Sequence, residues 1–343
     1  MYVILYNEGM VSMNYYELAL QRRSTRSFKT KKVSPTIINQ LHDYVFRCRA
    51  LVDDAPVQWR ILTDGVYERL AGCAGYHGFM VEAPCYLLLL AQPEPWYLEN
   101  AGFMGEDMVL KLTEMELASC WITIQDPDEL KRQLDISTSM VPAALIAFGY
   151  EKPVPSGPRI DIKSPSNIAL KQRSGQEAPK LYLDDAVFDG DWGVPAQTEY
   201  WNPRMNLYQA LIAACCAPTA LNRQPFRFIL DEGQAALVIL PDDLTSPVNA
   251  RLNTGIVMHH FASVMQEKSG RMDRWNLTPP NKKYKIPEGG VIEGPFPIKR
   301  NAGAPPSKMN KKSSMGTPLC YVKMQLLRHS FVVINVFNLI FSL

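Results

Sequence analysis

The sequence predicts an α+β fold in which helices pack on an internal sheet, built from two related halves. Short apolar runs typical of buried strands occur among longer segments whose apolar residues recur at helical spacing. The order of strands and helices in the first part of the chain recurs in the second part. The mixed order of these elements favours α+β over a strictly alternating architecture.

The first half contains two clear helices and four strands. Ser34 and Pro35 predict a helix start, because Ser caps helix N-termini and Pro suits the first helical position, and this helix ends near Cys48. Apolar spacing predicts a long helix over residues 99–117, and Asp126 caps a further short helix. The predicted strands are residues 60–63, 83–91, 120–124 and 141–150.

The second half repeats this order after a crossing segment rich in Pro, Gly and Asp at residues 188–203. The predicted elements are helix 204–216, strands 226–230 and 236–241, and helix 249–268, which Gly270 ends. Both long helices begin with a similar sequence, Asn100-Ala101-Gly102-Phe103 and Asn253-Thr254-Gly255-Ile256. We therefore expect half one at 13–190, half two at 191–288, and an extension outside the fold at 289–343.

The composition is that of an ordinary globular protein. The 343 residues are 47% apolar, and 36 basic against 34 acidic residues leave a net charge of +2 without a basic block, which disfavours nucleic acid as a partner. Seven cysteines without CxxC spacing favour a reducing compartment, the cytoplasm. The apolar tail at 331–343 is 13 residues long, short of the ~20 that span a bilayer, so we expect no membrane span.

Residues 21–28, QRRSTRSF, are the first candidate binding motif. In an extended chain Arg22, Ser24 and Arg26 project to the same side, because side chains alternate with period two. Two guanidinium groups and a hydroxyl suit a phosphate monoester, whose oxygens accept paired hydrogen bonds from arginine. A solvated basic turn is the alternative interpretation.

Residues 216–226, CAPTALNRQPF, are the second candidate motif. Asn222 and Gln224 are two residues apart, and Pro218 and Pro225 stiffen the ends of the loop. Two rigid amides can donate and accept hydrogen bonds, which suits the mixed edge of a flavin ring. An ordinary turn is the alternative, since Asn and Pro are common turn residues.

Together the two motifs resemble the nitroreductase family, whose hallmarks are an RRSxRxF segment and an APSxxNxQPW loop. Lys171-Gln172-Arg173 resembles the K-x-R segment that reaches the phosphate of FMN in this family, and Cys120-Trp121-Ile122 resembles a segment alongside the flavin. The resemblance implies the nitroreductase fold and a cofactor site with FMN as the cofactor. It assigns phosphate binding to Arg22, Ser24 and Arg26, with Arg23, Lys171 and Arg173 as further candidates, and ring binding to Asn222 and Gln224.

The distance between the two hallmarks departs from the family pattern. Ordinary members carry both motifs in one domain and build each site from two subunits, whereas nearly 200 residues separate Ser24 from Asn222 here. Half one has Asp53 and Asp54 where the amide loop is expected, and half two has no RRSxR. A fused pair that keeps one copy of each motif would form one complete site, so we expect a monomeric internal pseudo-dimer.

The resemblance implies an FMN-dependent oxidoreductase with NAD(P)H as co-substrate. Electron-poor small molecules such as nitroaromatics or quinones would be reduced by ping-pong hydride transfer. The isoalloxazine ring carries this reaction, so we expect no catalytic side chain. A non-catalytic flavin-binding protein is the alternative function. Metal binding at His259-His260 is disfavoured, because adjacent helical imidazoles point about 100° apart.

Overall fold

The computed structural model describes residues 14–298 except 54, 64, 77–78, 154–157, 165–166, 173–177, 197–204, 232 and 281. Over these residues the fold is α+β, as predicted, with two four-stranded sheets and a separate two-stranded hairpin. The hairpin is formed by β5 (Pro158–Ser164) and β6 (Asn167–Gln172). In the described part of the chain, no helix is both long enough and apolar enough to cross a membrane.

The first sheet is antiparallel and has the strand order β1-β2-β4-β3. Every residue of β2 is buried, which agrees with its predicted central position. Its strands are β1 (Val57–Thr63), β2 (Cys85–Ala91), β3 (Ala118–Ile122) and β4 (Val141–Gly149). The helices of this part of the chain are α1 (Tyr15–Gln21), α2 (Pro35–Val45), α3 (Val66–Leu70), α4 (Tyr97–Glu114) and α5 (Pro127–Gln133). Of these, α1 packs on α4 and on the helices of the second half.

The second sheet has the order β7-β8-β9-β10, with β7 parallel to β8. Its strands are β7 (Val187–Asp189), β8 (Phe226–Asp231), β9 (Gln234–Ile239) and β10 (Val291–Pro297). Its helices are α6 (Leu183–Ala186), α7 (Met205–Cys216) and α8 (Pro247–Ser269). β7 overlaps the start of the predicted crossing segment at 188–203. Since α6 and β7 precede the boundary predicted at 190/191, the second sheet begins inside predicted half one.

The boundary predicted at Gly289 is wrong, because the next residues complete the second sheet. β10 pairs with β9 over Val291–Pro297, and its Phe296 is fully buried. Its glycine and two prolines resemble a linker in sequence. Prolines are tolerated at a sheet edge, where a missing N–H costs no ladder hydrogen bond. Residues 299–343 lie outside the described part of the chain.

The two long helices α4 and α8 cross at the glycines of the predicted sequence match. A Cβ on Gly102 would collide with the carbonyl oxygen of Leu252, and one on Gly255 would collide with that of Glu99. Each colliding carbonyl belongs to the residue three positions before the opposite glycine. The contact is therefore reciprocal, as it is across a two-fold axis.

The asparagines of the same match hold equivalent loops. Asn100 Oδ1 accepts hydrogen bonds from the N–H groups of Leu51 and Val52 at 2.9 and 3.2 Å, just before β1. Asn253 Oδ1 accepts from the N–H group of Ala220 at 3.0 Å, just before β8. The loop before β1 and the loop before β8 are thus each held by an asparagine of one of the two crossing helices.

Candidate functional site

The first motif is an extended segment at the edge of the first sheet. α1 is capped by Asn14 and ends at Gln21, and the backbone of Arg22 is extended. Ser24 then forms a parallel bridge with Ser119, and the Thr25 N–H donates to the Ser119 carbonyl at 2.9 Å. The segment therefore lies beside the start of β3, which carries the Cys120-Trp121-Ile122 sequence.

The side chains of this motif separate as the period-two pattern predicts. Arg22 Nη1 donates a hydrogen bond to Ser24 Oγ at 3.4 Å, so these two side chains lie on the same side of the segment. Burial raises the pKa of the Cys120 thiol above its usual value. The charges of Arg26 and Arg22 offset this shift in part. Arg23 instead forms an exposed ion pair with Glu151. Arg22 and Ser24 are therefore in contact, and Arg26 is close enough to the Cys120 thiol to affect its pKa, whereas Arg23 turns to Glu151.

Arg22 is buried against an acidic residue of α4. Its Nε lies 3.7 Å from Glu106 Oε1, and its side chain is only 6% exposed. Within the described residues Nε has no hydrogen-bond partner, because this distance exceeds that of a hydrogen bond. A buried guanidinium with unused donor capacity is a suitable partner for an anion.

The second motif is a loop with several residues in the left-handed backbone region. Leu221, Asn222 and Gln224 have φ angles of 52°, 55° and 53°, which non-glycine residues rarely adopt. The Gln224 N–H donates to Thr219 Oγ1 at 3.0 Å, and Arg223 is paired with Asp242. The loop therefore keeps an unfavourable backbone conformation through local hydrogen bonds, a feature that is concentrated at binding sites.

The two amides of this loop bind residues 179–181. Asn222 Nδ2 donates to the Pro179 carbonyl at 2.8 Å. Gln224 Nε2 donates to the same carbonyl at 3.1 Å, and its Oε1 accepts from the Leu181 N–H at 2.8 Å. The amides are thus held in place as predicted for a rigid pair, but their hydrogen bonds go to the chain itself.

Lys180 links the two motifs. Its Nζ donates to the Ala217 carbonyl at 2.8 Å and to Asn222 Oδ1 at 3.2 Å. Burial and then the nearby charge of Arg22 lower the pKa of Lys180 to about 8. A lysine after the hairpin therefore contacts the amide loop of half two, and its pKa is affected by the arginine of half one.

No sequence pattern indicated Lys180, because it is an isolated basic residue among neutral neighbours. The sequence analysis placed the third basic group at Lys171 and Arg173 instead. Lys171 lies in β6, whereas Arg173 lies outside the described residues. Their roles stay predictions.

Comparison with known proteins gives a family for the first part of the chain. Residues 14–180 match the family profile described as "Putative TM nitroreductase". This part of the chain belongs to the nitroreductase family. No curated protein matches the sequence significantly.

Solved structures extend the likeness beyond this nitroreductase-family domain. A crystal structure named as a nitroreductase from Thermotoga maritima is 15% identical, with a TM-score of 0.53, and the match covers 87% of this chain and 99% of that chain. A nitroreductase family protein from Clostridium difficile 630 is 21% identical over 42% of this chain and 88% of its own, with a TM-score of 0.37. The first match shows that both halves share the fold of one solved protein.

Four buried side chains behind Arg22 join the nitroreductase-family domain to half two. Glu106 Oε1 lies 2.8 Å from His260 Nε2, and Asp107 Oδ1 lies 2.9 Å from His259 Nε2. All four side chains are essentially fully buried. In sequence, the acids read as polar positions of an amphipathic helix, and only the packing of α8 on α4 buries them.

These pairs consist of ionised acids and neutral imidazoles. Burial opposes ionisation of Glu106, but the hydrogen bond from His260, with the charge of Arg22 and the hydrogen bond from Trp121, outweighs it and holds the Glu106 pKa below its usual range. Burial holds the pKa of His260 below its usual range as well. A neutral imidazole that donates from Nε2 satisfies the carboxylate at neutral pH. Within the described residues no cluster of His, Cys, Asp and Glu could hold a metal ion.

Proposed function

We propose that the chain is an FMN-dependent NAD(P)H oxidoreductase that reduces electron-poor acceptors such as nitroaromatics or quinones. The observation that carries this proposal is the position of Lys180. It donates to Asn222 Oδ1, and the charge of Arg22 affects its pKa, which supports one common site for two motifs nearly 200 residues apart. The family of residues 14–180 supports the same activity.

The phosphate of FMN fits the cationic side of this site. Arg22, Ser24, Arg26 and Lys180 would hold it, with Lys171 and Arg173 as further candidates. Arg22 has a buried Nε without a hydrogen-bond partner in the described structure, and Arg26 is exposed. Glu106 offsets the charge of Arg22 in part, so Arg26 and Lys180 supply the charge that is left for an anion. Arg23 is not included, because Glu151 pairs with it.

Asn222 and Gln224 would act on the ring side of the site. Their hydrogen bonds to Pro179 and Leu181 hold the segment that carries Lys180. Direct contact of both amides with a flavin ring would require release of these bonds. In the arrangement described, the amides position Lys180 and the backbone around it.

Bound FMN would supply hydride transfer between the nicotinamide and the acceptor, and the protein would supply binding and orientation. Lys180 and the arginines would fix the phosphate end. Trp121 packs against Gly105 and donates to Glu106 Oε2 at 2.8 Å, which fixes the β3 segment beside the first motif. No side chain at this site is assigned to proton transfer.

The proposal includes an internal pseudo-dimer with one site per chain. Its support is the reciprocal contact at Gly102 and Gly255, together with the matching roles of Asn100 and Asn253. Half one contributes the phosphate segment, and half two contributes the amide loop. We propose that the chain acts as a monomer.

Cofactor loading and reduction test the function. The protein reconstituted with FMN should show a bound-flavin spectrum, and NADH or NADPH should bleach it without oxygen. A quinone should then restore the absorbance, and parallel initial-rate lines would indicate ping-pong kinetics. Bound flavin that neither nucleotide reduces would support the non-catalytic alternative. Protein that stays colourless after reconstitution would contradict both functions.

A further inference from the structure

The two acid and histidine pairs lie in one buried seam between the halves. We define this seam as Glu106 and Asp107 of α4 and His259 and His260 of α8. Glu106 faces His260 and Asp107 faces His259, and each pair is within hydrogen-bond distance. All the acids belong to half one, and all the histidines belong to half two.

The two pairs are related by the same two-fold relation as the glycines. The interval that separates Gly102 from Gly255 also separates Glu106 from His259 and Asp107 from His260. If the two halves are exchanged, Glu106 takes the position of His259 and His260 takes the position of Asp107. The first pair therefore maps onto the second pair. In a symmetric assembly both helices would carry the same residues at these positions, but here one helix carries acids and the other carries histidines.

We propose that this seam is a recognition surface that accepts only the unlike half: the acidic α4 helix binds the histidine-bearing α8 helix and rejects a second copy of itself. Two α4 helices crossed in this way would place carboxylates opposite carboxylates. Two α8 helices would bring four imidazoles together without a carboxylate acceptor. Like charges and unpaired polar groups at a buried contact are a means of rejecting a wrong partner.

The groups around the seam make the mismatch costly. Glu106 also accepts from Trp121 and lies beside Arg22, and Lys180 is within electrostatic range of His260. Asp107 accepts from Tyr44 Oη at 3.0 Å and from the Arg49 N–H at 3.0 Å. Each carboxylate thus has one nearby arginine and one histidine. A second carboxylate in place of His260 would face Glu106 without a donor between them and would share Arg22 and Lys180 with it.

This inference concerns how the halves pair and does not depend on flavin binding. Its consequence for the proposed function is separate. If like halves cannot pair through this seam, the Arg22 segment always meets the amide loop of a half two.

Three variants of the full chain test the seam at one pair. His260→Glu places a carboxylate opposite Glu106, which reproduces the contact that a second half one would make. His260→Gln is the matched control, because its amide can still donate to Glu106. The third is a double variant, Glu106→Gln with His260→Glu, which moves the single carboxylate from α4 to α8. The new amide oxygen on α4 can still accept the hydrogen bond from Trp121.

Urea unfolding at neutral pH gives the result. We expect His260→Glu to lower the folding equilibrium constant at least roughly a hundredfold relative to His260→Gln, as for other unpaired buried charges. The folding equilibrium constant of the double variant should be at least about tenfold higher than that of His260→Glu, because one carboxylate is again paired with one neutral donor. Among these variants, acidification should stabilise only His260→Glu, because one of its two facing carboxyl groups can take up a proton.

Equal stability of His260→Glu and His260→Gln would overturn the proposal. If His260→Glu does not fold, the double variant decides. A double variant that folds supports charge recognition. One that fails to fold, while Glu106→Gln and His260→Gln fold singly, overturns it.

Discussion

The cations of the candidate site differ in their surroundings, and this difference sets their roles. Arg22 is buried beside Glu106, Arg26 is exposed, and Lys180 is partly buried with a pKa lowered to about 8. Arg22 and Glu106 together are nearly neutral, so Arg22 chiefly offers directed hydrogen bonds. Arg26 and Lys180 supply most of the positive charge that an anion would meet.

Alanine substitutions of the arginines should distinguish those of the first motif that bind FMN from the one that does not. Hydrogen bonds to charged groups contribute about 1.5–3 kcal/mol, so Arg26→Ala should weaken FMN binding roughly ten- to hundredfold. Arg22→Ala with Arg26→Ala should weaken it by about a hundredfold or more. Fluorescence titration with FMN measures both. Arg23→Ala is the control and should bind normally, because Arg23 faces Glu151. An equal loss in Arg23→Ala would contradict the grouping.

Lys180 should make FMN binding dependent on pH. Its protonated form binds phosphate, and its pKa is lowered to about 8 by burial and by Arg22, while Glu106 and the Cys215 and Cys216 thiols oppose this shift. Affinity should therefore be full below pH 8 and fall as the pH rises above it. Lys180→Arg should keep its affinity up to pH 9.5, since arginine stays charged. A wild-type affinity that is constant from pH 7 to 9.5 would exclude Lys180 as a phosphate ligand.

Among the elements, α4 and α8 set the geometry of the site. Their glycine crossing brings the helices close, and their asparagines tie down the loops before β1 and β8. The Asn222 loop is therefore positioned by α8, while the Arg22 segment is positioned by β3 and by Glu106 of α4. A change in the crossing should move one motif relative to the other.

Gly255→Ala should destabilise the fold although alanine favours helix. The added methyl group would collide with the Glu99 carbonyl, which is backbone and cannot turn away. We expect a loss of roughly 3 kcal/mol or more in the free energy of unfolding, at the upper end for overpacked cores. Gly105→Ala on α4 is the matched comparison, because its methyl group meets only the Trp121 ring. Urea unfolding should rank Gly255→Ala as the less stable variant.

For the whole molecule, the two acid and histidine pairs have different neighbours among the described residues. The pair of Glu106 and His260 lies beside Arg22. The pair of Asp107 and His259 faces Arg49, which donates to Gln266 Oε1 at 2.7 Å and is also bonded to Ser263. Both terminal nitrogens of Arg49 thus have internal partners, while its Nε, like that of Arg22, has no hydrogen-bond partner among the described residues. Asp53 near it is paired with Arg274, and Asp54 lies outside the described residues.

As a pseudo-dimer with one site, the chain should bind one FMN. Absorbance of the reconstituted protein gives the ratio of flavin to chain, and two flavins per chain would contradict the pseudo-dimer. Mixing gives a second test, with Asn222→Ala chains and Arg22→Ala chains combined under conditions that allow subunit exchange. A site between subunits would be rebuilt in the mixture, whereas a site within one chain would not. Recovered FMN binding would show that chains share their sites.

Local patterns predicted most helices and strands because caps and apolar spacing act within a few residues. Ser34, Asp126 and Gly270 mark helix ends where predicted, and the all-apolar β2 is central. β10 and β7 were harder to predict. A short edge strand with prolines is stabilised by its partner strand, so its own residues show little β pattern.

The sequence alone determined the two motifs, their division between two halves and the repeat that relates the long helices, because each depends on residue type and spacing. Only the tertiary structure decided which side chains meet. Arg23 turns to Glu151, Lys180 reaches Asn222, and Glu106 faces His260. These contacts join residues far apart in the chain. The pairing of Glu106 with His260 arises from the crossing of α4 on α8, and the first motif is placed by its bridge to β3, neither of which a local pattern encodes.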